Sequence, residues 1–319
     1  MSHLFIRIFQ KRLFHAKNDT SPQFGPLTRE IGSLYTFHRD VQYPSEFPNN
    51  FMDLYIRKDA SGNPVPTVIF IHGGGYTWGD KHECAPDLSG AIPERDWFAR
   101  SLVEAGYNVV CMNYALAPDY PYFTPVLQIA SAVRFLLDNA AVYHLDMSRI
   151  VFAGNSAGAQ LAGQYVCIQT DAAYASEVHM QRILTDGQIK AVLFNSGLLD
   201  TERFYKTGYF IHNYIFTRCG CAYFGCKKGA ENEKMMQASL LRHVTADYPP
   251  VFISDGNWGS FTDQAENMAA LLERLGVKHE LNIYPRKEKR LGHNYEQAYG
   301  RYSIDNMNKM IGFLKETIS

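Results

Sequence analysis

The sequence lacks both a long apolar run and a strong charge of either sign. Its 319 residues have a formal net charge of −1 at pH 7, so neither nucleic acid nor an anionic membrane is indicated as a partner. The basic, amphipathic residues 1–19 contain no stretch near the roughly 20 apolar residues of a transmembrane helix. They also lack the apolar region and cleavage site of a signal peptide. We therefore expect a cytoplasmic protein without a transmembrane segment. Its N-terminal helix should pack on its own domain, with docking onto a membrane or partner as the alternative.

Cysteines are few, and their spacing does not match a structural metal site. Three of the six cluster as C-x-C-x4-C at Cys219, Cys221 and Cys226, but no fourth ligand follows at a suitable spacing. We interpret this cluster as packing within a flexible segment and predict no metal. The other three lie in apolar or mixed segments and are expected to be reduced: Cys84, Cys111 and Cys167.

Strand and helix signals alternate along the chain without an internal repeat, which is typical of an α/β protein with a mostly parallel sheet. We predict one domain over residues 1–319, with about eight strands and helices on both faces. The first two strands are expected to be an antiparallel pair. The predicted strands are 33–39, 51–57, 67–72, 108–114, 149–154, 190–195, 251–254 and 279–284, and the predicted helices are 94–105, 124–142, 157–169, 263–275 and 295–317.

Residues 201–248 are far longer than a crossover between two strands requires, and they are rich in aromatic side chains. Insertions of this length are usually functional, so we predict a cap over an active site. A peripheral helical hairpin is the alternative. Residues 1–40 are a second candidate part of the cap. The aromatic residues of the insertion are Phe204, Tyr205, Tyr209, Phe210, Tyr214, Phe216, Tyr223 and Phe224.

The motif Gly154-Asn155-Ser156-Ala157-Gly158 fits G-x-S-x-G and lies between a predicted strand and a predicted helix. This context is the one that a nucleophile elbow requires, because the sharp turn forces the serine into a strained conformation and tolerates only small neighbours. The following helix N-terminus favours negative charge. We therefore predict that Ser156 is a catalytic nucleophile.

The motif His72-Gly73-Gly74-Gly75-Tyr76 directly follows the strand TVIFIH. Acyl transfer creates an oxyanion that needs preorganised N–H donors, and glycines let the backbone present its amides without side-chain obstruction. We predict that the amides of Gly74, Gly75 and Ala157 form the oxyanion hole. A simple glycine turn is the alternative.

A histidine near the C-terminus, in Leu291-Gly292-His293, follows the last predicted strand. Neutral imidazole is the side chain best suited to accept a proton near pH 7, so His293 is predicted to be the general base. The acid should follow the strand 251–254. Asp255 is the first choice, and the alternatives are Asp263, which also has a helix-capping explanation, and Asp200, which follows the preceding strand.

These motifs resemble the hormone-sensitive-lipase-like and carboxylesterase branch of the α/β hydrolases from about residue 66 to the C-terminus. The matching segments include HGGGYTWGD (72–80), NYALAPDYPY (113–122) and LDMSRIVFAGNSAGAQLA (145–162). The resemblance implies the α/β-hydrolase fold, an acyl-enzyme mechanism, short acyl groups, and neither metal nor organic cofactor. Two departures are Asn155, where this branch often has a carboxylate, and Gly259, where its G-x-x-D pattern has the aspartate.

The expected function is therefore hydrolysis of small-molecule, short-chain carboxylic esters by a serine enzyme. An aromatic pocket suits such substrates, and its predicted residues outside the cap are Tyr76, Trp78, Asn155 and Trp258. Three alternatives use the same fold. An arylformamidase would cleave an amide, a carbohydrate acetyl esterase would act on acetylated sugars, and a non-catalytic member would only bind.

Overall fold

The computed structural model describes residues 2–14, 16–22, 24–62, 64–86, 94–226 and 232–318. Within them one sheet has nine strands, in the spatial order β1-β2-β3-β5-β4-β6-β7-β8-β9. The strands are β1 (Leu27–Ile31), β2 (Tyr35–Gln42), β3 (Phe51–Arg57), β4 (Pro66–Ile71), β5 (Asn108–Met112), β6 (Asp146–Asn155), β7 (Ile189–Asn195), β8 (Val251–Ser254) and β9 (His279–Asn282). The six strands from β5 to β9 in this spatial order are parallel, and β1, β2 and β3 extend the sheet as antiparallel neighbours.

Helices cover both faces of the sheet. The α-helices of the described residues are α1 (Ser2–Phe9), α2 (Trp97–Glu104), α3 (Thr124–Asp138), α4 (Ala157–Thr170), α5 (Ala172–Glu177), α6 (Phe210–Phe224), α7 (Glu233–Ala238), α8 (Leu240–His243), α9 (Thr262–Leu275) and α10 (Arg301–Ile318). Successive residues of a strand point to opposite faces. In β4, Ile69 and Ile71 therefore pack with α3, α4 and α9, whereas Val68 and Phe70 pack with α2 and α10.

The predicted α/β-hydrolase fold is confirmed by this mostly parallel, doubly covered sheet, and the predicted antiparallel pair is β2 and β3. Strand β1 was not predicted, and the sheet has nine strands rather than the expected number of about eight. Most of β1 is exposed, and it pairs only with β2 at the sheet edge. Its residues, LTREI, therefore carry no buried alternation that a sequence pattern can detect.

The long segment between β7 and β8 contains α6, α7 and α8, and α1 packs on α6. The ring of Phe5 meets Tyr214 edge to face at 5.4 Å between centroids. Beyond α1, the Gln10 side chain donates hydrogen bonds to the carbonyls of Thr77 and Ala117, at 2.7 and 2.9 Å. The N-terminal segment therefore packs on its own chain, beside the predicted cap. Residues 227–231 of that cap lie outside the described residues.

Among the described residues, no helix combines the length and the apolarity needed to cross a lipid bilayer.

Candidate active site

Ser156 occupies a strained turn between β6 and α4, with φ 53° and ψ −118°. Two close backbone approaches require glycine on either side of it. A Cβ at Gly154 would lie 2.5 Å from the carbonyl carbon of Gly158, and a Cβ at Gly158 would lie 2.1 Å from the carbonyl oxygen of Ile71. The turn therefore holds the serine at the carboxyl edge of the sheet, in the geometry that the G-x-S-x-G motif predicts.

His293 lies beside this serine, with its Nε2 at 2.9 Å from the Ser156 Oγ. The loop that carries the histidine is fixed to the loop after β8. The amides of Asn257 and Trp258 both donate to the carbonyl of Leu291, at 3.0 and 3.1 Å, and the Leu291 amide donates to the Asn257 side chain at 3.0 Å. The structure thus brings together the two residues that the sequence analysis predicted as nucleophile and base.

The other imidazole nitrogen, Nδ1, contacts a residue that the sequence analysis did not select. This is Ser260, whose Oγ lies 2.8 Å from His293 Nδ1. The same hydroxyl donates to the Oδ1 of Asp255, which also accepts from the Gly256 amide at 2.6 Å. The Ser260 hydroxyl therefore lies between the predicted acid, Asp255, and the imidazole of His293. A serine in a loop is too common for its type alone to have indicated this position.

The two alternative acids have other partners. Asp263, at the start of α9, forms an ion pair with Arg203. Asp200 caps the turn that follows it, accepting from the Glu202 amide at 3.1 Å, and it also accepts from the Ser239 hydroxyl at 3.2 Å. Neither carboxylate contacts His293 within the described residues.

A second buried carboxyl group, Glu296, lies behind Asp255 and was also missed. It accepts hydrogen bonds from Ser196, at 2.8 Å for the shorter contact, and from Ser254 at 3.2 Å. Burial, and then the charge of Asp255, raise the pKa of Glu296 to about 8. Burial likewise raises the pKa of Asp255 to about 7. The sequence around Glu296 has the composition of an ordinary polar turn, so only the tertiary packing reveals that Glu296 is buried.

This carboxyl pair predicts that the fold loses stability as the pH rises. Both folded-state pKa values are raised, so the folded protein holds more protons than the unfolded chain between about pH 4 and pH 8. A pKa that differs by one between the folded and unfolded states changes the free energy of unfolding by about 1.4 kcal/mol. The contribution of these two carboxyl groups to the free energy of urea unfolding should fall by several kcal/mol from pH 5 to pH 9. In Glu296→Gln much of this fall should disappear.

The exposed Glu266, changed to glutamine, is the matched control and should show the same pH dependence as the wild type. An unchanged fall in Glu296→Gln would contradict the raised pKa of this group.

The predicted oxyanion loop adopts a conformation that favours glycine. Gly74 has φ 90°, and a Cβ there would lie 2.1 Å from the carbonyl oxygen of Trp78. The amides of Gly74 and Gly75 donate to no acceptor within the described residues. Ala157 is the first residue of α4, and an amide at this helix position has no intrahelical partner. All three predicted donors are therefore available to a ligand.

The buried Tyr114 supports this loop from below. Its hydroxyl donates to the carbonyls of His72 and Gly73, both at 3.0 Å, and its ring stacks on His72 at 4.3 Å. Burial lowers the pKa of His72 to about 4, so this imidazole is neutral at pH 7. His72 therefore acts as a packing residue of the loop.

The residues predicted for the pocket have different surroundings. Tyr76 is buried, stacks on Tyr223 at 3.9 Å and donates to the Gln160 side chain at 3.0 Å. Asn155 is also buried, with its side chain packed beneath Gly73. Both are part of the packed support of the site.

The other two predicted pocket residues are tryptophans. Trp78 lies 6.3 Å from the ring of Phe9, which comes from α1. Trp258 is partly exposed, 4.4 Å from the ring of Tyr209, and Arg290 lies over its face at 4.6 Å.

Two phenylalanines flank the imidazole of His293. The rings of Phe216, from α6, and Phe261 lie 5.0 and 5.3 Å from it. Burial, and secondarily the nearby His212, lower the pKa of His293 to about 3. The imidazole is therefore neutral at pH 7, which is the form that accepts a proton. Phe261, like the adjacent Ser260, was not among the residues predicted for the site.

In the parts of the chain that the structure describes, no three His, Cys, Asp or Glu side chains are grouped so that they could hold a metal ion.

Comparison with known proteins identifies the family of this chain. The BD-FAE family model matches residues 52–270, which is more than half of the chain. The chain belongs to the BD-FAE family. The predicted kinship with the hormone-sensitive-lipase-like and carboxylesterase branch of the α/β hydrolases is thereby confirmed.

Several curated relatives of this BD-FAE member are esterases by name. The probable isoprenylcysteine alpha-carbonyl methylesterase ICMEL1 of Arabidopsis thaliana is 26% identical over 275 residues, covering 81% of this chain and 52% of its own length. Esterase LipC of Mycobacterium tuberculosis is 26% identical over 309 residues, covering 94% of this chain and 70% of its own. This chain spans between 52% and 60% of the length of the methylesterases that it matches.

Among solved structures, inhibited esterase B from Lactobacillus rhamnosis superimposes with a TM-score of 0.72 at 20% identity, covering 91% of this chain and 89% of its own. At this identity the match shows the fold alone.

Proposed function

We propose that this BD-FAE member is a serine hydrolase that cleaves short-chain carboxylic esters. The observation that carries the proposal is the 2.9 Å contact between Ser156 Oγ and His293 Nε2, with the serine held in a strained strand-to-helix turn. The curated relatives that are esterases by name support the same reaction class.

In the first half of the reaction, Ser156 attacks the ester carbonyl while His293 Nε2 takes the hydroxyl proton. The amides of Gly74, Gly75 and Ala157 donate to the oxygen that becomes negative. When the tetrahedral intermediate collapses, the C–O bond to the alcohol breaks, and His293 returns the proton to the leaving oxygen. The acyl group is then bound to Ser156.

In the second half, His293 takes a proton from a water molecule that attacks the acyl-enzyme. Collapse of this intermediate releases the carboxylic acid, and the proton returns to Ser156. Asp255 is the acid that stabilises the protonated imidazole during both steps. The pKa of His293 is low in the resting protein because the ring is buried, so this stabilisation is needed only as the transition state forms.

The preference for small acyl groups is supported by how closely α6 approaches the oxyanion loop. A Cβ at Gly75 would lie 2.9 Å from the Cβ of Cys219, so little space separates the insertion from the loop. Phe216 of the same helix flanks the imidazole. Helix α6 of the insertion therefore acts as the cap that limits the length of the acyl chain.

The proposal is tested by measuring kcat/KM for p-nitrophenyl acetate, butyrate and octanoate, together with labelling by a fluorophosphonate probe. We expect turnover of acetate and butyrate, much slower turnover of octanoate, and labelling that is absent in Ser156→Ala. A Ser156→Ala variant with full activity would exclude the proposed nucleophile. Faster cleavage of a formyl anilide or of acetylated sugars would assign the same site to an amidase or a carbohydrate esterase. A well-folded protein that neither turns over substrate nor is labelled would be a binding protein.

A further inference from the structure

We infer that Ser260 is a positioning residue of this site, which links the Asp255 carboxylate to His293 through its hydroxyl. The inference rests on the proposed function. In a direct acid–histidine contact, one hydrogen bond joins the carboxylate to the imidazole. In this site two hydrogen bonds in series join them. The triad thereby becomes a four-residue chain, Ser156-His293-Ser260-Asp255.

When Asp255 is ionised, the geometry fixes the direction of these two hydrogen bonds. Ser260 Oγ lies 2.8 Å from His293 Nδ1, and the same hydroxyl donates to Asp255. A hydroxyl has one hydrogen, and an ionised carboxylate can only accept. The hydrogen of Ser260 therefore points to Asp255, and its lone pair accepts the Nδ1–H of His293. This arrangement leaves Nε2 unprotonated, facing Ser156.

Ser260 is held firmly enough to select this tautomer. It is 3% exposed and lies in the loop between β8 and α9. The Thr262 hydroxyl donates to the Gly256 carbonyl at 2.6 Å and closes this loop on itself. His212 of α6 contacts the carbonyl of Gly259 through its Nδ1, so the cap helix also restrains the residue next to Ser260.

The direction of the chain depends on the ionisation of Asp255. A protonated Asp255 would donate to Ser260, and Ser260 would then donate to Nδ1, which would leave the proton on Nε2. That tautomer cannot accept the proton of Ser156. The titratable groups facing Asp255 are Glu296, Tyr295 and, across Ser260, His293. Burial raises the pKa of Asp255 to about 7, so kcat should decline as the pH falls below about 7.

The first test compares Ser260→Ala with Ser260→Thr, which keeps the hydroxyl. We expect Ser260→Ala to lower kcat for p-nitrophenyl butyrate by about 10² to 10⁴-fold with little change in KM, by analogy with loss of a triad acid. Ser260→Thr should retain at least about a tenth of the wild-type kcat. Ser303→Ala removes another buried hydroxyl, which donates to the backbone of Gly300 and is outside the site, and should keep the wild-type kcat.

A double-mutant cycle with Asp255→Asn separates a linking role from a merely structural one. If the carboxylate acts through the hydroxyl, Asp255→Asn should lower kcat strongly in the wild type but by less than about threefold in Ser260→Ala. Independent, multiplicative effects of the two substitutions would overturn the inference. So would a Ser260→Ala variant within threefold of wild type beside an inactive Ser156→Ala, an outcome that leaves the proposed hydrolase intact.

A spectroscopic measurement tests the inference even if no ester is cleaved. The hydrogen-bonded Nδ1 proton of His293 should give a downfield ¹H NMR signal that is present in the wild type and in Ser260→Thr. It should be lost in Ser260→Ala. If this signal persists in Ser260→Ala, Nδ1 has another partner and Ser260 is not the link.

Discussion

Replacing His293 with glutamine is expected to lower kcat for p-nitrophenyl butyrate by about 10⁵ to 10⁶-fold, the loss typical of removing the base of a serine hydrolase. Glutamine fills similar space between Phe216 and Phe261 but cannot take the proton of Ser156 at neutral pH. KM should change little, because the imidazole acts on the reacting atoms and not on the bound ester. Rapid-quench or steady-state assays with active-site titration measure this loss.

The control for this substitution is His243→Gln. The ring of His243 also lies against an aromatic side chain, stacked on Tyr174 at 3.8 Å, but it lies in α8, outside the site. It should keep the wild-type kcat. Ser156→Ala combined with His293→Gln should be no slower than either single variant, because the two residues act as a unit. A His293→Gln variant that keeps more than a tenth of the activity would assign the base to another residue.

Substituting Gly158 with alanine is expected to damage both the fold and the site. The new Cβ would lie 2.1 Å from the carbonyl oxygen of Ile71 and 2.4 Å from that of His72. These are backbone atoms at the end of β4, so relief requires the strand and α4 to separate. We expect a loss of about 3 kcal/mol in the free energy of unfolding, at the upper end of overpacking costs. The displaced Ser156 should lower kcat by about 10²-fold.

Gly312→Ala is the matched control for this prediction. Gly312 lies inside α10, and a Cβ there would meet no atom within 4 Å. Alanine should stabilise this helix by about 0.5 to 1 kcal/mol and leave kcat unchanged. Urea unfolding followed by circular dichroism distinguishes the two substitutions. If Gly158→Ala is as stable as the wild type, the turn is less tightly packed than the structure indicates.

The fold could largely be predicted because its strands are doubly buried. Runs such as TVIFIH and RIVFAG are mainly apolar, and each is flanked by a turn and a helix pattern, so β4 and β6 were placed to within a few residues. The edge strand β1 could not be predicted, because its exposed residues need no apolar pattern. The packing of α1 on α6 could not be predicted either, because the two helices are about 200 residues apart in the chain.

The surroundings of the triad acid could not be predicted from the sequence. The family pattern G-x-x-D predicts an aspartate at position 259, where this chain has Gly259. Chain order then favoured Asp255, which the structure places behind Ser260. Glu296 had no sequence signal, since a polar residue in a turn is normally exposed, yet it is 1% exposed.

The sequence by itself determined the buried strands of the sheet, the strained turn at Ser156, the glycine loop and the position of His293 in the chain. These features depend on local backbone requirements, which leave short motifs of specific residues. Only the tertiary structure decided what contacts His293 Nδ1 and which carboxyls share the buried space behind it. Those contacts join residues 33 to 100 positions apart through common side chains, serine and glutamate, whose roles are set by burial and by their neighbours.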